Sequence, residues 1–162
     1  MGYWAVAVPA QRYAQERLVG NVSLAVAPGP APGDRVALLA EVDPPVVFGL
    51  GTVGRDGRVH YTRRLFDTPL PADALQPGPL TADDFAALAA EAGPADPVRT
   101  WFVGVDLPIE AETPAEAVRR YWSYLHDLGP TELPAFVAPV DDELAMQAYV
   151  MGHEAALDPE ED

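Results

Sequence analysis

The sequence predicts an α+β fold, a mainly antiparallel sheet with about three flanking helices, and three observations predict it. Apolar residues alternate with a period of two over several short segments, as strands with two distinct faces require. Most of these segments are separated by tight turns of Gly, Pro and Asp rather than by helices, so neighbouring strands run antiparallel. Three other segments carry apolar residues at helical spacing between start and stop signals.

Taken in order, residues 3–8 alternate, with Trp4, Val6 and Val8 on one side and Tyr3, Ala5 and Ala7 on the other, and Pro9 ends the strand. Residues 10–19 change period, with Ala10, Tyr13, Ala14, Arg17 and Leu18 at helical spacing and Gly20 at the position where a left-handed helix stop is expected. Val22, Leu24 and Val26 alternate again before a turn containing Pro28, Pro30 and Pro32. Two strands follow, 36–42 and 46–53, separated by Asp43-Pro44-Pro45. Asp56-Gly57 signals a two-residue type I′ hairpin to a strand over 58–66.

Residues 67–80 hold Pro69, Pro71, Pro77 and Pro79 and are expected to form an ordered loop without regular structure. Thr81 and Asp84 form a capping pair for a helix whose stripe is Phe85, Leu88 and Ala92 and whose stop is Gly93-Pro94. Residues 100–107 read as a strand with Trp101, Val103, Val105 and Leu107 on its apolar face. Thr113-Pro114-Ala115-Glu116 supplies a capping hydroxyl, a first-turn proline and a reciprocal glutamate. The helix it opens carries the stripe Val118, Tyr121, Trp122 and Leu125, pairs Glu116 with Arg120, and ends at Gly129-Pro130. Residues 134–140 and 144–151 form a hairpin around Asp141-Asp142-Glu143, residues 153–162 are an acidic tail, and its last residues, Asp158 to Asp162, are expected to fray.

With 162 residues the chain is of single-domain size, and residues 1–162 are expected to fold as one cooperative unit. No apolar run approaches the ~20 residues a membrane-spanning helix needs, so no membrane partner is expected. No secretory signal is read at the start, and with no cysteine and hence no disulfide framework the expected location is cytoplasmic. A formal charge of -15 opposes phosphate backbones, so nonspecific nucleic-acid binding is not expected. Arg55, Arg58, Arg63 and Arg64 form a local basic run whose ordinary reading is a solvated hairpin face.

Several chemistries are excluded by composition. Every basic residue apart from histidine is arginine, which removes Schiff-base and P-loop lysine chemistry, and the lack of cysteine removes thiolate catalysis. Ser23 lies in a strand segment and Ser123 in a helix segment, neither at the strained elbow that suits a nucleophile. His60, His126 and His153 are scattered without metal-pair spacing, so no metal site and no cofactor are expected. Gly49-Leu50-Gly51-Thr52-Val53-Gly54 spells G-x-G-x-x-G, yet it leads into another strand instead of the helix a pyrophosphate site requires. Asp141, Asp142 and Glu143, like Glu110 and Glu112, read as ordinary turn carboxylates, and no catalytic residues are assigned.

The opening Tyr3-Trp4 strand with its short helix, Pro32-Gly33-Asp34 before an apolar strand, and Val47-Phe48-Gly49-Leu50-Gly51 on the next resemble the EVE branch of the PUA-like superfamily over residues 1–66. That resemblance implies a β-pseudobarrel that binds nucleic acid, in some members through an aromatic pocket for a modified base. The segment Val19-Gly20-Asn21-Val22-Ser23 departs from the family in lacking a tryptophan and basic residues, and residues 81–152 lie outside the resemblance. The favoured expectation is a non-catalytic binding module for a modified nucleobase or nucleoside-like planar ligand, held by Tyr3, Trp4, Tyr61, Arg63, Arg64 and Trp101. The alternative is an adaptor for a protein partner or a second copy of the chain, and an enzyme stands third.

Overall fold

Alternation places the residues of each strand on two faces, and in the two central strands of the first part of the chain both faces are buried. The computed structural model describes residues 1–95, 97–142, 144–150 and 153–155. Glu143, Met151 and the acidic tail beyond residue 155, each named in the sequence reading, lie outside these residues. The chain divides into two compact units, Met1–Asp96 and Pro97–Asp162, each with its own sheet. The architecture is α+β with mostly antiparallel strands and, among the described residues, three α-helices.

The first unit contains β1 (Tyr3–Pro9), α1 (Ala10–Leu18), β2 (Ser23–Ala25), β3 (Arg35–Glu41), β4 (Val46–Val53), β5 (Arg58–Arg64), β6 (Leu70–Pro71), β7 (Gly78–Leu80) and α2 (Ala82–Glu91). Its curled sheet has the order β2-β5-β4-β3-β1-β7. β1 and β3 run parallel, and the other pairs are antiparallel. β5 pairs with Gly49 to Val53 of β4, and β6 takes over at Val46 and Val47.

Val6, Val8, Val36, Leu38 and Phe48 pack with Tyr13 of α1 on one face, while Ala37, Leu39, Val47 and Leu50 pack with Phe85 of α2 on the other. Residues 36–40 of β3 are therefore buried without interruption, as a strand covered on both faces should be. Burying a side chain such as Leu38 or Phe48 stabilises the fold by roughly 1.5–3 kcal/mol.

Three local expectations change here. α1 ends with Val19 in extended conformation, so Gly20 makes no left-handed stop. The β4–β5 hairpin has a three-residue loop: Gly57 N–H donates to the Gly54 carbonyl, Gly54 N–H donates to Arg58, and Gly57 takes φ 73° after Arg55 and Asp56. One left-handed glycine then suffices, where the two-residue turn needs two such positions. The proline-rich segment is not free of regular structure, because β6 and β7 form in it. An edge strand bonds through alternate residues only, which leaves places for Pro71 and Pro79.

α2 carries the full capping box between Thr81 and Asp84 and ends at Gly93 with φ 67°. The glycine run of β4 has a packing role. A Cβ on Gly51 would stand 2.5 Å from Val59, and one on Gly49 would stand 3.0 Å from the Tyr61 ring.

The second unit contains β8 (Trp101–Gly104), α3 (Pro114–Leu128), β9 (Ala135–Pro139), β10 (Gln147–Val150) and β11 (His153–Ala155). Its antiparallel sheet has the order β11-β10-β9-β8. The expected hairpin is β9–β10, and the first residues of the expected acidic tail instead form β11, which pairs with β10. β8 is shorter than expected and exposed along its length. Thr113 caps α3 by accepting from Glu116 N–H at 3.2 Å, but the Glu116 carboxylate returns to Glu112 N–H rather than to Thr113. Val118 and Trp122 of the expected stripe are exposed, and Tyr121 and Leu125 are half-buried.

Candidate functional site

The five nominated residues of the first unit divide between the two faces of its sheet. Trp4 and Tyr61 pack against the α1-side cluster and Tyr3 against the α2-side cluster, with its ring 5.4 Å from Phe85. The register of β5 against β4 shifts so that Thr62 is an extra residue. Such a bulge reverses the alternation. Arg64 therefore lies over the Tyr61 ring at 5.0 Å, and Arg63 reaches the other way to donate to the Ala92 carbonyl at 3.2 Å. Trp101 belongs to the second unit, on β8. Tyr61 and Arg64 are brought together; Tyr3 and Arg63 are on the opposite face from them.

The basic run is engaged internally at three of its four positions. Arg58 donates to Ser23 Oγ at 2.8 Å and to its carbonyl at 3.0 Å, fastening β2 to β5. Arg64 donates to the Asn21 carbonyl at 2.7 Å, and Arg63 holds the end of α2.

Beneath Tyr61 lies a carboxylate that sequence reasoning missed. Glu16 of α1 is 1% exposed. Its Oε1 accepts from Arg12 at 2.8 Å and from Asn21 Nδ2 at 3.0 Å, and its Oε2 accepts from the Tyr61 hydroxyl at 3.3 Å. Burial, followed by the Glu16 charge, pushes the Tyr61 hydroxyl above its ordinary range, so it stays protonated and donates. A buried charge persists only when paired and hydrogen-bonded, and this one has three donors. The available signal was the Arg12/Glu16 spacing on one helix face, which alone reads as a surface pair. The network ties α1 and the Asn21 turn to β5 and sets the position of the Tyr61–Arg64 stack.

Trp4 is fixed by a second carboxylate. Its indole N–H donates to Asp34 at 3.0 Å, and Asp34 also accepts from Ala31 N–H at 2.9 Å and from Gly2 N–H. The Ala31 and Gly2 amides, with the indole, hold the Asp34 carboxyl below its ordinary range.

The second unit carries a different kind of surface. Trp101 is 47% exposed and Trp122 63% exposed, and Phe102, Val103, Val118 and Tyr124 are also exposed. Among the described residues β8 pairs only with β9, which leaves its other edge open. Val118 and Trp122 stand one turn apart on α3, whose Tyr121 hydroxyl donates to the Val105 carbonyl at 3.1 Å. The unit has three arginines against fourteen Asp and Glu, a formal charge of -11.

Among the described residues no three His, Asp or Glu side chains group as a metal site, and no helix is long and apolar enough to cross a membrane. Comparison with known proteins returns no match: no family model, no curated protein and no solved structure is significantly similar to this chain.

Proposed function

We propose that the chain is a non-catalytic binding protein that engages a basic protein partner through the apolar side chains of its second unit. The observation that carries this reading is the exposure of Trp101 and Trp122 in a unit of formal charge -11. Tryptophans are favoured anchors of protein interfaces, and covering a large apolar side chain is worth roughly 1.5–3 kcal/mol. The acidic surround would speed encounter with a positively charged partner and give the association a marked salt dependence.

The test is photo-crosslinking from position 103 in cells, followed by calorimetry with the captured protein once purified. The Trp101→Ser/Trp122→Ser double variant should bind at least tenfold more weakly while keeping its far-UV circular dichroism, and binding should weaken with salt. Unchanged affinity in that folded variant overturns the proposal.

A second reading has a specific observation in its favour. The bulge at Thr62 presents Tyr61 and Arg64 together on the side of the sheet that also holds Trp4, and stacking on such a pair would suit a nucleobase or nucleoside-like planar ligand. On this reading the first unit is a PUA-like barrel variant, supported by its strand–helix–strand opening and curled sheet. Calorimetry with modified nucleosides tests it. Submillimolar binding that is lost in Tyr61→Ala but kept in Trp122→Ser would move the function to the first unit.

A further inference from the structure

A groove in the first unit belongs to neither surface considered so far. It has a volume of about 670 Å3 and runs between residues 71–76, the end of β7 and the outer side of α2. Leu75, Leu80 and Leu88 are half-buried there and form an apolar floor. The charged residues that line the groove are Asp73, Asp84 and Glu91, and no arginine lines it. Asp84 is occupied in part by the α2 cap, accepting from the Thr81 hydroxyl at 2.6 Å. The Asp73 and Glu91 carboxylates make no hydrogen bond or ion pair with the described residues, so both are available to a ligand.

We infer that this groove binds a small organic cation with an apolar body, an aryl- or alkylamine, whose body lies on the leucine floor and whose ammonium meets Asp73 and Glu91. Three properties select that class. The volume lies in the range of small-molecule sites, which are largely apolar with a few polar groups placed to orient the ligand. The lining charge is of one sign, so it attracts a cation and repels a carboxylate of the same shape. The wall strand β7 has Pro79 at its middle position, and a proline offers no N–H for a peptide strand to pair with, which favours a compact ligand over an added strand. This inference is independent of the partner-binding proposal, which rests on the other unit.

The experiment uses the full chain, with tryptamine and hexylamine as probes and indole-3-acetate and the corresponding indole alcohol as controls. Binding is followed by calorimetry and by amide chemical shifts. At least one amine should bind, with shifts centred on Leu75, Leu80 and Leu88, the alcohol should bind at least tenfold more weakly, and the carboxylate should not bind. Asp73→Asn/Glu91→Gln should weaken amine binding at least tenfold, and Ala87→Phe, which fills the groove from an exposed helical position, should abolish it. If neither amine binds at millimolar concentration, if the carboxylate binds as well as the amine, or if the shifts map elsewhere, the inference is overturned. Equal amine affinity in the carboxamide double variant would overturn it as well.

Discussion

The two units use apolar residues in opposite ways. In the first, β3 and β4 are covered on both faces, and the two clusters built on them draw every member from residues 3–92. In the second, Leu133, Ala138 and Ala148 are buried, while both tryptophans and Phe102 face outward. The contrast shows that an apolar stripe predicts burial only where another element is available to cover it. β1 has α1 on one side and α2 on the other; Val118 and Trp122 keep helical spacing just as regularly, yet both are exposed.

The largest expected effect compares the two directly. Phe48→Ala removes a ring in contact with Tyr13 and Phe66 and should cost about 3–5 kcal/mol in urea unfolding, whereas Trp122→Ala should stay within about 0.5 kcal/mol, as an exposed position does. A large loss at Trp122 would mean that its side chain is covered in the folded chain. Next is Glu16→Ala, which leaves the Tyr61 hydroxyl and Asn21 without their acceptor and should cost roughly 2 kcal/mol. The same unfolding curves report it, and a neutral result would mean the network holds nothing.

Smaller effects are expected at the helix starts. Thr81→Ala and Thr113→Ala each remove a cap that accepts from the third helical amide and should cost about 1 kcal/mol. The first should lower the stability of the core-bearing unit, and the second should show as increased amide exchange confined to the start of α3.

The smallest effect is confined to acid. The carboxyl of Asp34 titrates below its ordinary range in the folded chain, so its contribution is complete above the unfolded value of about 3.9 and is lost as pH falls through the lower folded value. Asp34→Asn should therefore flatten that part of the acid limb and leave the slope near neutrality unchanged. Identical acid limbs in the two proteins would remove Asp34 from the account.

What was legible in the sequence follows from range. Trp4, Val6 and Val8 against Tyr3 and Ala5 is a local pattern, and it sorts correctly onto the two faces of β1. The Thr81 box and the Thr113 cap are equally local and form where the sequence places them. The Thr62 bulge is not local, because it arises from how β5 registers against Gly49 and Gly51, and it decides which arginine joins Tyr61. Glu16 was illegible for the same reason: its burial depends on Tyr61, 45 residues away. β6 and β7 were missed because prolines argue against strands in general but not at sheet edges.

Because both core clusters draw their members from residues 3–92, the first unit should keep its stability when it stands alone. A fragment of residues 1–95, unfolded in urea and followed by circular dichroism, tests it most directly. One cooperative transition is expected, with a free energy matching that of the same unit in the full chain within the ~10–15% error of extrapolation. A sloping, non-cooperative curve would contradict it and would show that residues 1–162 fold only as one unit.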